Sequence, residues 1–271
     1  MSVREPQILD IEKIILSRAG EKGKYIPKWL IRWFERFIHL DYINGYLKEG
    51  YVGVEFCENA LKYLGVELEV KGLENLPKDG RRYTFVSNHP LGAIDGVTLG
   101  AIIGKEYDGK VKYLMNDLLM NLKGMAPLGI PVNKLGSQAR NLSRLVNEVF
   151  ESDNQMLIFP AGLCSRKIDG KIQDIPWGKA FVKKSRDTGR DIIPIHFDGE
   201  NSKRFYRIAN LCKVLKLKFN FAMMTLPDEM VKSAGRKYTI TFGKPIPISE
   251  LDRSKSDYEW AQIIRNKVYD L

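Results

Sequence analysis

The sequence predicts an α/β fold with a mostly parallel central sheet flanked by helices, preceded by an N-terminal amphipathic helical cap. Three observations support this. Short apolar runs typical of buried strands recur along the chain, as at 83–87, 156–159 and 192–197. Segments with helical periodicity separate these runs. The chain has 271 residues and is 44% hydrophobic, enough to build the core of one large domain.

The helix predicted at 26–38 is the most distinctive element of the cap. Trp29, Trp33 and Phe37 recur every four residues, and a basic stripe of Lys28, Arg32 and Arg36 runs beside them. This pattern is typical of a helix that lies in a membrane interface. It also fits a helix that packs its aromatic rings on the core and leaves its charges in water. The sequence favours neither interpretation.

The remaining elements follow in chain order. A second apolar-periodic helix at 54–64 completes the cap, so we divide the chain into a helical membrane-interface segment, 1–66, and an α/β domain, 67–271. The strands predicted in that domain are 67–70, 83–87, 111–115, a short strand entered through the loop at 127–134, 156–159, 192–197 and 237–242. The helices are 95–103, 118–122, one that begins at Ser137, 178–188, a basic amphipathic helix at 203–218, and 257–269. A charged loop is expected after Arg166.

Composition limits the function classes. The net charge of +10 indicates an anionic partner. This partner could be nucleic acid, an anionic membrane or a phosphorylated substrate, and charge alone does not choose among them. Three cysteines without metal spacing and only three histidines argue against a zinc site and favour a reducing, cytoplasmic setting. We expect no transmembrane helix and no signal peptide.

The stretch Ser87-Asn88-His89-Pro90-Leu91-Gly92-Ala93-Ile94-Asp95-Gly96 holds the strongest candidate site. It follows a buried strand, and the carboxyl ends of such strands carry the active sites of open α/β sheets. His89 can accept a proton from a hydroxyl, while Asp95 holds the imidazole in the required tautomer. A histidine that merely packs at a strand end is the alternative.

Other strand ends also carry polar groups. Gly162, Ser165 and Arg166 follow the strand at 156–159, and an arginine in this place can grip a phosphate or carboxylate with two donors. Lys134 follows another strand and is more easily dismissed as a solvated side chain. We expect Cys164 to be a buried thiol and His196 to be structural. The Gly-x-Ser-x-Gly, Walker-type and Gly-x-Gly-x-x-Gly motifs are absent from the sequence.

Four motifs in order resemble those of the glycerolipid and lysophospholipid acyltransferases, particularly their bacterial, hemolysin-like branch. The resemblance covers roughly 73–242. Its motifs are Asn88-His89 with Asp95, Gly129-Ile130-Pro131-Val132-Asn133-Lys134, Phe159-Pro160-Ala161-Gly162-Leu163-Cys164-Ser165-Arg166, and Ile193-Pro194-Ile195. The sequence departs from the family pattern at three points. One extra residue separates His89 from Asp95, and Gly92 is suited to absorb it. Ala161 stands where the family has a glutamate, and two residues are inserted before Arg166.

The resemblance implies an acyltransferase that moves a fatty acyl group from acyl carrier protein or coenzyme A to the hydroxyl of a one-chain lipid. His89 would be the general base and Asp95 its orienting partner, with oxyanion donors near Asn88 or Gly92 and no metal or other cofactor. The residues expected to hold the acceptor headgroup are Gly162, Ser165 and Arg166, with Lys134 in reserve. The acceptor is either lysophosphatidic acid or a lyso amino-acid lipid such as a glycine or ornithine lipid precursor. The enzyme would act as a peripheral protein at the cytoplasmic face of an anionic membrane.

Two other functions remain open from the sequence. One is a hemolysin-like protein that binds membranes and has a degenerate site, and the other is an acyl thioesterase. A nucleic-acid binder ranks low, because the aromatic residues lie in apolar helical stripes instead of among basic residues on strands.

Overall fold

The computed structural model describes residues 4–116, 119–132, 138–217 and 221–271. Its strands are β1 Glu67–Lys71, β2 Tyr83–Ser87, β3 Val111–Asn116, β4 Gly129–Val132, β5 Gln155–Ile158, β6 Arg166–Ile168, β7 Lys171–Gln173, β8 Asp191–Asp198 and β9 Lys237–Phe242. Its α-helices are α1 Ile11–Ala19, α2 Lys28–Phe37, α3 Leu40–Leu47, α4 Val54–Leu64, α5 Ala93–Glu106, α6 Gln138–Glu151, α7 Ala180–Asp187, α8 Lys203–Val214, α9 Leu226–Lys232 and α10 Asp257–Tyr269.

A seven-stranded sheet within the described ranges forms the centre of the molecule, in the order β1-β9-β8-β2-β5-β3-β4. The five strands from β8 to β4 are mutually parallel. β9 runs antiparallel to β8, and β1 is parallel to β9. The prediction of a mostly parallel sheet flanked by helices is therefore confirmed.

Both faces of the sheet are covered, which is why its central strands read as continuous apolar runs. Successive side chains of a strand point to opposite faces. In β2, Phe85 joins the core beneath α4 and α5, whereas Val86 joins the core beneath α7 and α10. Leu157 and Met156 of β5 divide in the same way. The site is thus built on strands fixed from two sides.

The hairpin of β6 and β7 differs from the expected charged loop. Its strands have only three residues each and carry several charges, so they show no apolar alternation. The turn between them is Asp169-Gly170, with φ of 49° and 82°. An Asp-Gly pair with two positive φ values is the preferred two-residue hairpin turn, and it is the sequence signal for this element.

The N-terminal helices confirm the predicted amphipathic cap. The helix expected at 54–64 is α4, and its Phe56, Cys57 and Leu61 pack in the same core as α5. In α2, Ile31 is buried, but Trp29 and Trp33 are 69% and 55% exposed. These two aromatic residues therefore do not pack on the core. The division of the chain into 1–66 and 67–271 stays a prediction.

No helix among the described residues has the length and apolar character needed to cross a membrane.

Candidate active site

The site lies where three parallel strands end. β2 pairs with β5 on one side and with β8 on the other, so the segments that follow these strands meet at one edge of the sheet. Asn88 ties two of them together. Its side-chain amide donates to the Phe197 carbonyl at 2.9 Å, and the Phe197 N–H donates to the Asn88 Oδ1 at 2.7 Å. This pair of bonds fixes the backbone from which His89 projects.

His89 and Asp95 form a hydrogen-bonded pair, with 3.0 Å between Nδ1 and Oδ2. Asp95 is fully buried in the first turn of α5. Its carboxylate also accepts from the backbone N–H groups of Leu91, Gly92 and Gly96, at 3.0, 3.1 and 2.9 Å. The carboxylate thus accepts four hydrogen bonds in a buried position at a helix N-terminus, where backbone N–H groups and the helix dipole favour an acceptor.

The Asp95 carboxylate determines the tautomer of His89. A carboxylate only accepts hydrogen bonds, so the neutral imidazole carries its proton on Nδ1 and leaves Nε2 as a lone-pair base. The His89 ring is largely buried and stacks on Phe159, with 4.1 Å between ring centroids. The arrangement can remove a proton from a hydroxyl placed at Nε2.

Opposing effects determine the pKa of His89. Burial lowers the pKa, but the Asp95 charge and hydrogen bond raise it, with a further contribution from Asp174, and the Arg166 charge lowers it. The result is a pKa above the ordinary value of 6.5. A raised pKa makes the neutral imidazole a stronger base toward the proton of a hydroxyl.

Gly92 shapes the turn between His89 and Asp95. Its φ of 85° lies in the region that favours glycine, and a Cβ there would approach the Cys164 sulfur to 2.9 Å. Gly92 therefore occupies a turn position that a side chain would strain, as its proposed role of absorbing an extra residue requires. It also lets the loop after β5 approach the turn closely.

Asp174 is a buried acid that the sequence reading missed. One carboxylate oxygen accepts from the Ser165 hydroxyl at 2.6 Å and the His89 N–H at 3.3 Å, and the other accepts from the Trp177 indole at 2.9 Å. The Ser165 N–H in turn donates to the His89 carbonyl at 2.8 Å. Burial is the main reason that the pKa of Asp174 is raised. The only sequence signal for this buried acid is its position three residues before Trp177, whose indole N–H needs an acceptor when it is buried.

The backbone of Asp174 is anchored to the last helix. Its N–H donates to the Tyr269 hydroxyl at 2.7 Å, and its carbonyl accepts from Arg265 at 2.7 Å. Both partners belong to α10. The chain therefore connects its C-terminal helix to the segment that carries His89.

The predicted acceptor residues have distinct environments. Ser165 is buried and gives its hydroxyl proton to Asp174. Arg166 is half-buried beneath the Phe205 ring, and its Nη1 donates to the carbonyls of Cys164 and Ser165 at 2.6 and 3.2 Å. Gly162 is exposed in the preceding loop, with a φ of 66°. Lys134 lies outside the described residues.

Two other candidate groups lie in environments that differ from that of His89. Burial raises the pKa of Cys164 to about 12, so its thiol is not a nucleophile at neutral pH. Burial lowers the pKa of His196, which packs against the Tyr269 ring. Across the part of the chain that the structure describes, no group of three metal-ligating side chains is found.

Three of the donors near Asn88 and Gly92, where oxyanion donors are expected, are already bonded. The Asn88 amide holds Phe197, and the Leu91 and Gly92 N–H groups hold Asp95. They stabilise the sheet edge and the buried carboxylate instead of a developing oxyanion. Spacing alone could not reveal this, because it shows which donors are near the turn but not which acceptors they meet.

Comparison with known proteins identifies the family. A family described as Acyltransferase matches residues 13–271. The chain belongs to this acyltransferase family. A lyso-glycine lipid O-acyltransferase of Phocaeicola vulgatus is 51% identical over 266 residues, which cover 97% of this chain and 95% of that protein. A protein of the same name from Bacteroides thetaiotaomicron is 50% identical, with 97% of each chain covered. The predicted resemblance is confirmed.

A solved structure supports the fold of this acyltransferase. The 1-acyl-sn-glycerophosphate acyltransferase PlsC of Thermotoga maritima superposes with a TM-score of 0.52 at 16% identity, covering 96% of this chain and 88% of that chain. At this identity the likeness shows the α/β fold and no more.

The Gly92 turn predicts a specific loss of stability. We expect Gly92→Ala to lower the free energy of unfolding by about 3 kcal/mol, from the strained backbone and the clash with Cys164. Gly80→Ala is a matched control, because Gly80 also has a positive φ but a Cβ there meets nothing within 4 Å. It should cost only about 1 kcal/mol. Urea unfolding measures both, and equal losses would contradict the close approach.

The environment of the histidines predicts their titration. The chain has only three histidines, so their ring signals can be resolved by NMR. The His89 signal, assigned by its loss in His89→Ala, should titrate above pH 6.5, and the His196 signal should titrate below it. A His89 midpoint at or below 6.5 would contradict the influence assigned to Asp95.

Proposed function

We propose that this acyltransferase moves a fatty acyl group from a thioester, on acyl carrier protein or coenzyme A, to the hydroxyl of a one-chain glycine lipid. The observation that carries the proposal is the His89–Asp95 pair, which presents a neutral Nε2 base at the edge of the sheet. Two relatives of about half-identical sequence, matched over nearly their whole length, are named for O-acylation of this lipid class.

In the proposed reaction, Nε2 of His89 takes the proton of the acceptor hydroxyl while its oxygen attacks the thioester carbonyl carbon. Asp95 stabilises the imidazolium that forms. The tetrahedral intermediate collapses, the carbon–sulfur bond breaks, and the leaving thiolate takes the proton from Nε2. The base is thereby regenerated without an acyl-enzyme, and the thioester is the only co-substrate that the scheme requires.

Arg166 is the proposed ligand of the acceptor headgroup. A glycine acylated at its nitrogen carries one charge, a carboxylate, and a guanidinium matches that group with two donors. Within the described residues, the hydrogen bonds of Arg166 all use Nη1. Its Nη2 and Nε therefore remain for the headgroup. Ser165 acts indirectly, because its bonds to Asp174 and to the His89 carbonyl fix the loop before Arg166.

The α2 helix is the proposed site of contact with an anionic membrane. Its exposed Trp29 and Trp33 suit the interfacial region, and the neighbouring cations Lys28, Arg32 and Arg36 suit anionic headgroups. The exposure of the tryptophans favours this interpretation over packing on the core. We propose a peripheral protein at the cytoplasmic face, where its lipid acceptor is found.

The proposed function is tested by incubating purified enzyme with acyl-acyl carrier protein or acyl-coenzyme A and either a one-chain glycine lipid or lysophosphatidic acid. We expect thioester consumption that depends on the glycine lipid and yields its O-acyl product. His89→Ala should reduce the rate on the order of 10³-fold. Thioester loss to water would identify a thioesterase instead. Vesicle binding without transfer would identify a membrane-binding protein with a degenerate site.

Substitution of Arg166 tests headgroup binding. Arg166→Ala should raise KM for the glycine lipid about 10- to 100-fold, as expected for the loss of charge-assisted hydrogen bonds, and should change KM for the thioester little. Arg253→Ala is the control, because this exposed arginine lies in the turn before α10. Equal effects on the KM of both substrates would contradict the role of Arg166.

A further inference from the structure

The C-terminal end of α8 exposes a cluster of aliphatic side chains. Leu211, Val214 and Leu215 are each more than half exposed, and we call this cluster the α8 patch. Helical periodicity alone places Leu211 and Leu215 on the packed side of the helix together with Phe205 and Cys212. In the structure, the packed side is instead made by Phe205, Tyr206, Ala209 and Cys212. The α8 patch therefore faces outward.

The charge along the α8 segment is uniformly positive. Residues 203–217 contain five lysines and arginines and no aspartate or glutamate. Lys213 and Lys216, which flank the patch, are both exposed. Exposed aliphatic side chains among cations, without any acid, are complementary to the surface of an anionic bilayer, where the apolar groups enter the headgroup boundary.

The α8 patch is on the same helix that reaches α2. Arg204, at the start of α8, lies over the Phe37 ring at 5.2 Å, and Phe37 stacks on Trp33 at 5.4 Å between centroids. Arg204 also pairs with Asp228 of α9. The exposed aromatic residues of α2 and the exposed aliphatic residues of α8 thus belong to two helices that are joined by direct contact.

The inner side of α8 reaches the active site. Phe205 is buried against the Arg166 guanidinium, and it shares a core cluster with Cys164, the neighbour of Gly92. One helix therefore has the α8 patch on its outer side and the proposed headgroup ligand on its inner side.

We propose that the α8 patch is a second membrane contact, which docks on an anionic lipid surface together with α2 and brings the Arg166 side of the site to the bilayer. The inference deepens the proposed function and rests on it for the identity of the lipid acceptor. Two contacts on joined helices define an orientation, which a single helix does not. An acceptor that leaves the bilayer beside α8 would meet Arg166 first.

The experiment uses the full chain and vesicles of equal parts phosphatidylcholine and phosphatidylglycerol. The triple variant Leu211→Ser/Val214→Ser/Leu215→Ser should bind these vesicles about tenfold or more weakly, because three exposed aliphatic groups no longer enter the interface. Tyr258→Ser is the control, since Tyr258 is a half-exposed residue of α10, a helix that packs in a different core cluster from α8. It should bind like the wild type.

Activity separates docking from damage to the site. With glycine lipid dispersed in detergent, the triple variant should transfer acyl groups at the wild-type rate, and with the same lipid in vesicles it should be slower. Unchanged vesicle binding of the triple variant would overturn the proposal. It would also be overturned if the wild type were a dimer in solution and the triple variant a monomer. If the wild type transfers nothing in detergent while the triple variant still loses vesicle binding, the proposed function fails and the docking surface stands.

Discussion

The central constraint on this structure is the buried charge of Asp95. A carboxylate removed from water is tolerated only when donors surround it, and here His89 and three backbone N–H groups supply them. The N–H groups of Leu91 and Gly92 reach the carboxylate because the chain turns sharply at Gly92 before α5 begins. The same carboxylate selects the tautomer of His89 and raises its pKa. Fold stability and base strength therefore depend on one group.

A second buried acid makes the proposed base and the proposed headgroup ligand parts of one unit. Asp174 binds the His89 backbone and the Ser165 hydroxyl, while α10 anchors its own backbone. The loop between β5 and β6 is therefore fixed to the turn after β2, with Arg166 next along the chain. Because the loop and the turn are fixed to each other, the distance between His89 and Arg166 stays constant. A transfer reaction needs such a fixed geometry to hold its acceptor at the base.

The sequence predicts what depends on local pattern. The apolar run at 83–87 is β2 with the same bounds, and the polar pair after it meets as expected. Asp174 was missed because Ser165 and His89, two of its partners, lie 9 and 85 residues away along the chain, and Trp177, three residues on, is its only local signal. The direction in which Trp29, Trp33 and the α8 patch face likewise depends on the neighbouring helices. Periodicity shows that a helix has two sides but not which of them the rest of the fold covers.

The central claim is that His89 acts as a base whose strength is set by Asp95. The most direct test is the pH dependence of kcat/KM for acyl transfer in the wild type and in Asp95→Asn. Activity needs neutral His89, so it falls as the pH drops through the pKa of this residue, and the wild-type midpoint should lie above 6.5. Removal of the negative charge should lower the rate and move the midpoint to lower pH. The same midpoint in both proteins would contradict the account.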